Sequence, residues 1–327
     1  MAFFPTEYTV EGARRLYLSL TLQVCNFLIG SLLVVSKKTI RTPVLWLAWS
    51  SMTFFCFVVY QPNYGSVFHS LNLDTELATM RDNDANISSY QGLARSLLMT
   101  SLLLISLTEL NAPRFFVQLF SMLALILIGA RSELLGFVCA VTLFEFANIR
   151  AARIAFGNLL IGLAGTTVAL TCVVVWLWEH LGRVRTFSFV NLLSDPSTNA
   201  RLNQINDAIA IIFDKPIAGD FAVHLKFGNH GDMPHSILSA WTMLGLPGFL
   251  LILSMIVGSC YAALRARFIA KNEDATWNHA LLLAAMAFPQ LLISKSAFVE
   301  WLPLLFGSIV AARTLAPELA QACISKD

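Results

Sequence analysis

An all-α bundle of membrane-crossing helices is the fold this sequence predicts, and three observations predict it. The first is composition: 57% of the 327 residues are hydrophobic and 13% are charged, where an ordinary soluble domain carries about 25% charged and roughly 45–50% apolar residues. Mean hydropathy is +0.68. The second is that apolar runs able to span about 30 Å of hydrocarbon recur along the whole chain. The third is that the short loops between these runs are basic at alternate turns, the pattern that the positive-inside rule attaches to a cytoplasmic face.

Taken in order, the spans fall at Leu16–Val35, Pro43–Tyr60, Gly92–Leu107, Phe115–Ile128, Leu134–Ala147, Ile154–Trp178, Leu246–Leu264, Leu281–Ile293 and Ala297–Ala312. About nine transmembrane helices therefore form a single integral membrane domain over 1–327. Three short loops carry the basic residues: Lys37, Lys38 and Arg41; Arg150 and Arg153; and Arg265, Arg267 and Lys271. They share one side, taken as cytoplasmic. The segment Gln61–Tyr90, with Asp74, Glu76, Asp82 and Asp84 against Arg81, falls opposite, as does the one large loop, 179–235. An odd number of spans puts the N-terminus outside, although Arg14 and Arg15 just before the first span pull the other way. Inside the large loop, Leu202, Ile205, Ile209, Ile212 and Phe213 recur at offsets of three and four, which predicts an amphipathic helix over Arg201–Phe213.

Several function classes drop out. A net charge of +2 gives no basic stripe for nucleic acid, and no GxxxxGK[ST] phosphate loop occurs. The six cysteines lie far apart and none forms CxxC, so they read as small buried side chains rather than zinc or redox ligands. The first fifteen residues hold Glu7, Glu11, Arg14 and Arg15 and no apolar stretch, unlike a cleavable signal peptide.

Three features carry candidate chemistry, all on the expected outer side. Arg131, in Gly129-Ala130-Arg131-Ser132-Glu133, interrupts two apolar runs at the tip of a helical hairpin. A cation at the membrane edge is costly without an anion. It reads either as an anion-binding group or as a snorkelling arginine paired with Glu133. Arg201 heads the amphipathic helix, which Pro216 and Gly219 stop; alone it reads as a solvated loop charge. His224, His230 and His235 lie within twelve positions, but their offsets of six and five do not share a helix face and no acidic ligand completes them, so no metal is expected. His235 precedes the apolar run Ser236–Leu244, and Gly245-Leu246-Pro247-Gly248 breaks that run before a full span. This places His235 at the outer mouth of the bundle.

With these residues in hand, the sequence resembles the O-antigen polymerase and O-antigen ligase superfamily of bacterial inner-membrane glycosyltransferases. The resemblance rests on Ala130-Arg131-Ser132, on Arg201 with Pro216 and Gly219, and on His235 with Leu238-Ser239-Ala240-Trp241 and Gly245/Gly248, in that order across Arg131–Gly248. Ser236 stands where the family usually has asparagine, and Asp220 where it usually has a second glycine. The chain is also shorter than typical members. The resemblance implies a GT-C-like multi-pass protein of the bacterial inner membrane with its active site on the periplasmic side. The implied substrate is a glycan linked to undecaprenyl diphosphate, with membrane lipid around it, and a chain-length regulator and a flippase are the implied partners.

On that footing each residue type has a reason. Arginine binds phosphate oxygens in pairs through its planar fork, so Arg131 and Arg201 are expected to hold the diphosphate and stabilise it as it leaves. Histidine titrates near neutrality, so His235 is the expected base or acceptor-orienting group. Arg95, one turn inside the third span, is a third candidate cation that also reads as snorkelling, and His224, Lys226 and His230 are candidate contacts to sugar hydroxyls. No cofactor is required. The leading expectation is a polysaccharide polymerase. A ligase moving the chain to a lipid A-core acceptor is the alternative within the class, and a transporter or lipid flippase the alternative outside it. A transporter favours ionisable residues near the midplane; here Glu145 is the main acidic residue within an apolar run and it lies towards the cytoplasmic end.

Overall fold

The computed structural model describes residues 10–33, 35, 40–59, 89–152, 196–221, 236–269, 274–293, 295–299 and 301–324. Among these residues every regular element is an α-helix, and none is a strand. In chain order the helices are α1 (Val10–Leu32), α2 (Thr42–Val59), α3 (Ser89–Leu107), α4 (Asn111–Ile128), α5 (Arg131–Ala152), α6 (Pro196–Asp214), α7 (Leu238–Phe268), α8 (Ala275–Ile293) and α9 (Trp301–Ile324). Eight of these overlap the predicted spans other than the sixth, with α1 ending at Leu32 short of Val35 and α9 starting at Trp301 instead of Ala297, and α6 contains the predicted amphipathic helix. The expected span Ile154–Trp178 lies outside the described residues.

Among the described residues two helices, α4 and α7, are long and apolar enough to cross a membrane. Shorter apolar stretches lie at Tyr17–Leu32, Thr42–Val58, Gly92–Leu107 and Trp301–Thr314. Large apolar side chains face outward along α1 (Leu18, Val24, Ile29, Leu32), α2 (Val44, Leu47, Phe54, Val58) and α7 (Leu250, Leu251, Val257, Tyr261). Water penalises such surface, and monomeric soluble proteins rarely expose large contiguous patches of it.

The chain divides into two compact units, residues 35–192 and residues 1–34 with 193–327. In the first unit α2, α3, α4 and α5 pack together. A buried polar relay ties three of them. Trp49 on α2 donates its Nε1–H to Ser121 Oγ on α4 at 2.8 Å. Ser121 lies 2.7 Å from Ser101 Oγ on α3, and Ser101 lies 2.6 Å from the Leu97 carbonyl. A hydroxyl has one proton. Ser101 gives its proton to Leu97, so Ser121 donates to Ser101 and the relay runs in one direction. At the far end of the α4–α5 hairpin, Arg114 Nε meets Glu145 Oε1 at 2.9 Å and Gln118 donates to the same oxygen at 2.6 Å. Arg114 also lies over the Phe144 ring.

The second unit joins α1 to α6–α9. Gln23 on α1 donates to the Phe298 carbonyl at 3.0 Å. Farther along, Gly30 faces the backbone of Leu304 and Ser308, and Gly307 faces that of Phe27 and Ser31. Both residue numbers rise together, so α1 and α9 run parallel. A Cβ on either glycine would overlap the opposite backbone, which is the small-residue packing that lets helices approach closely in membranes.

Candidate functional site

In the first unit, Arg131 owes its position to a two-residue helix joint. Gly129 ends α4 with φ 77°, a left-handed conformation that costs glycine nothing. Its N–H bonds to Ile126 O at 3.0 Å, and the Ala130 N–H reaches Leu125 O at 3.4 Å. These are the two closures of a Schellman motif. Ala130 O then accepts the Leu134 N–H at 2.9 Å and α5 starts at Arg131. The sequence places Arg131 at a hairpin tip; the structure makes it the first residue of a helix. That is the end where the macrodipole disfavours a cation and favours an anion. Glu133 is the acidic residue of that first turn; it is buried at 3% exposure and accepts a 2.6 Å hydrogen bond from Ser132. Arg131 itself is half-buried.

Arg95 lies in the second turn of α3, also half-buried. Because α3, α4 and α5 alternate in direction through short joints, the start of α3 and the start of α5 share one end of this unit, and α3 packs on α5. Arg95 and Arg131 therefore belong to the same end. The Arg114–Glu145 pair lies at the other.

In the second unit, Arg201 lies in the second turn of α6, which begins at Pro196 rather than at Arg201. Pro at a first helical position has no N–H to leave unsatisfied. After Asp214 the chain turns through Pro216–Gly219 and docks on a break in α7. Asp220 N donates to Thr242 O at 2.7 Å, Leu246 N to Pro216 O at 3.0 Å, and Trp241 Nε1 to the same Pro216 O at 2.9 Å. Gly219 and Gly245 have φ of 67° and 68°. A Cβ on Gly245 would overlap the Ile217 carbonyl, and one on Gly219 would overlap the Gly245 nitrogen. Pro216, Gly219, Trp241 and Gly245, which the sequence presents as separate motifs, thus form one clasp. Asp220 also has a role: its carboxylate meets Lys215 Nζ at 2.9 Å and closes the turn. Trp241 stacks on Phe249 across the break, with ring centroids 4.9 Å apart.

The start of α7 is fixed from the other side as well. Ile237 N donates to Leu291 O at 2.9 Å, and Ala297 N donates to Ser239 Oγ at 2.8 Å. Ser239 passes its own proton to Ser236 O at 2.8 Å, and Ser236 Oγ accepts the Leu238 N–H at 3.3 Å. Ser236 thus accepts one of the N–H groups at the start of α7. His235, with His224, Lys226 and His230, lies outside the described residues, and so does the side chain of Arg201.

Sequence reasoning did not single out Lys295, a buried charge in the second unit. It is buried at 7% exposure between α8 and α9, in the segment that holds Ser239. The signal was present: like Arg131, it is a lone cation between two apolar runs. Among the described residues, no group of three or more His, Cys, Asp or Glu could hold a metal ion. No protein-family model matches the chain, no curated protein matches it, and no solved structure matches it.

Proposed function

We propose that the chain is a multi-pass glycosyltransferase of the bacterial inner membrane that polymerises polysaccharide from glycans linked to undecaprenyl diphosphate, at the periplasmic face. The observation that carries this reading is the clasp. It gives one physical purpose to the Pro216–Gly219 turn, Trp241 and Gly245. It ties the helix bearing Arg201 to the helix that follows His235. Rigid support for residues on loops is what a reaction centre needs.

Outward apolar surface on α1, α2 and α7 supports burial in lipid. The parallel packing of α1 and α9 supports an odd number of spans. Glu145 is satisfied by Arg114 and Gln118, which supports a structural pair over the proton or ion path of a transporter.

In this reading the acceptor hydroxyl attacks the anomeric carbon while His235 takes the hydroxyl proton, the bond from that carbon to the diphosphate oxygen breaks, and the diphosphate leaves with the electron pair. Arg131 and Arg201 offset the charge that develops on it. Arg131 suits this role because a cation and a helix N-terminus coincide there.

The test is turnover of purified protein in nanodiscs with a synthetic lipid-diphosphate repeat unit. Loss of a general base costs about 10²–10⁴-fold, so His235→Ala should fall by that factor while His224→Ala and His230→Ala fall far less. Arg131→Lys should restore only part of what Arg131→Ala loses, since a point charge lacks the two-pronged fork. Near-normal turnover in His235→Ala would remove the histidine from the chemistry.

A further inference from the structure

Helix α6 and the turn after it carry large apolar side chains that the rest of the second unit leaves uncovered. Phe213 is 82% exposed, more than any other large apolar residue among the described ones, and Leu202 (49%), Ile209 (41%) and Ile217 (71%) are exposed with it. Leu202, Ile209 and Phe213 follow at offsets of seven and four, so they form one stripe. Asn203, Asp207 and Asp214, all exposed, follow at offsets of four and seven and form a second stripe, about a third of a turn away. Ala208 at 1% exposure, with the half-buried Ile205 and Ile212, marks a third side, the one turned to the protein. The exposed apolar stripe borders that side, and the polar stripe lies beyond it.

A helix on the surface of a soluble protein has two surroundings, core on one side and water on the other. Here a third, apolar side calls for a third surrounding. Apolar residues exposed singly are ordinary, but these are aligned, and they continue onto α7. The Pro216 carbonyl, next to Ile217, accepts the Trp241 Nε1–H at 2.9 Å, Trp241 stacks on Phe249, and Leu250 and Leu251 after it are exposed. Because α7 is long and apolar enough to cross a membrane, the stripe runs into a surface suited to lipid. We infer that α6 lies in the plane of the membrane surface, with Leu202, Ile209, Phe213 and Ile217 sunk into the acyl boundary and Asn203, Asp207 and Asp214 in water. The charges say what holds it there. Arg201 and Lys215 are matched by Asp207 and Asp214, so no polybasic attraction to anionic headgroups is available, and buried apolar area supplies the binding. The inference rests on α7 crossing a membrane and not on glycosyl transfer.

The experiment places nitroxide labels singly at positions 203, 207, 209 and 213 of the full-length protein in nanodiscs, after replacement of its six native cysteines, with 250 and 251 on α7 as references. Collisions with oxygen, which concentrates in lipid, are compared with those of a water-soluble nickel chelate. Positions 209 and 213 should follow 250 and 251 and collide with oxygen, at a depth of about 5–10 Å, while 203 and 207 collide with nickel. The same pattern in phosphatidylcholine alone and in phosphatidylcholine mixed with phosphatidylglycerol supports apolar insertion, and a pattern confined to the anionic mixture overturns it. Nickel collisions at 209 and 213 equal to those at 203 and 207, with 250 and 251 still in lipid, overturn the inference and leave the membrane reading of α7 standing. Nickel collisions at 250 and 251 as well overturn both. Shielding of 209 and 213 from both reagents assigns the stripe to a protein neighbour and overturns the lipid assignment. Should the cysteine-free protein fail to fold, the unaltered protein is irradiated in nanodiscs that contain a phospholipid with a diazirine on its acyl chain. Adducts on Leu202, Ile209 or Phe213 support the inference, and adducts on α7 with none on 202–213 overturn it.

Discussion

The α4–α5 joint and the clasp between the α6 turn and α7 both rest on glycines at positive φ, and they are built on opposite principles. The joint is local: each of its hydrogen bonds closes within five residues, and it requires the left-handed conformation of Gly129. The clasp is non-local. It links residues 216–220 to 241–246 through three hydrogen bonds and requires two backbones to touch where each glycine stands. A local joint tolerates change because its neighbours move with it. A non-local one does not, because any added atom must displace a second element.

Substituting Gly245 should give the largest effect. In Gly245→Val the β-carbon meets the Ile217 carbonyl, and a β-branched residue is forced to φ 68°. Both faults act at once, so the cost should reach about 3–5 kcal/mol, and the 215–221 turn should detach. Thermal unfolding in detergent and limited proteolysis at the turn would measure it. A variant as stable as the parent, with the turn still protected, would show that the clasp gives way as easily as the joint and would erase the contrast.

This comparison also separates what the sequence reveals from what it hides. The helices were legible because long apolar runs report them directly: α2, α3, α4 and α8 cover the predicted runs almost end to end, and α4 and α7 are also long and apolar enough to cross a membrane. The amphipathic helix was legible from its three-and-four spacing, but its first five residues, Pro196–Ala200, were not, since Pro-Ser-Thr-Asn reads as loop chemistry. Helix α9 begins at Trp301 instead of Ala297, and the Ala297 N–H goes to Ser239, fifty-eight positions away in sequence. The clasp turns on the Pro216 carbonyl, a backbone atom that every residue possesses, so no residue pattern announces it. Among the candidate residues, the place of Arg131 at a helix joint and the stop at Pro216–Gly219 were legible from the sequence, while the buried Lys295, also a lone cation between two apolar runs, was not singled out.

A smaller effect is expected at the Trp49–Ser121–Ser101 relay, which is non-local like the clasp but made of side chains. Ser121→Ala removes the acceptor of the buried Trp49 N–H and the donor to Ser101. Leaving a buried donor unpaired costs about 1–3 kcal/mol, and the lower end applies in lipid, where the unfolded chain also finds partners. Ser121→Thr keeps the hydroxyl and should restore part of the loss, unless its methyl group finds no room. Comparing the two by unfolding in mixed micelles tests whether the relay depends on the hydroxyl. A Ser121→Ala protein as stable as the parent would mean that the relay contributes nothing, and that backbone interlocks alone distinguish rigid from yielding regions.

The smallest effect belongs to Gly129, and it is the sharper half of the comparison. The demand there is conformational: at φ 77° an L-residue brings its β-carbon close to the following carbonyl, at about 1–2 kcal/mol. Gly129→Ala should therefore lose about 1 kcal/mol, with α4 and α5 intact. Gly129→Asn should lose less, because asparagine visits the left-handed region readily and its amide can bond locally. The order Gly, Asn, Ala from most to least stable is the signature of a φ requirement with no steric partner. At Gly245 both Asn and Ala should fail alike, because Asn relieves φ and leaves the collision with Ile217 in place. Measuring both triplets by thermal unfolding sets the two joints on one scale. If Asn rescued Gly245 as well as it rescues Gly129, the clasp would be conformational instead of steric, and the rigidity ascribed to the base of the candidate site would have to come from the Ser236–Ser239 contacts alone.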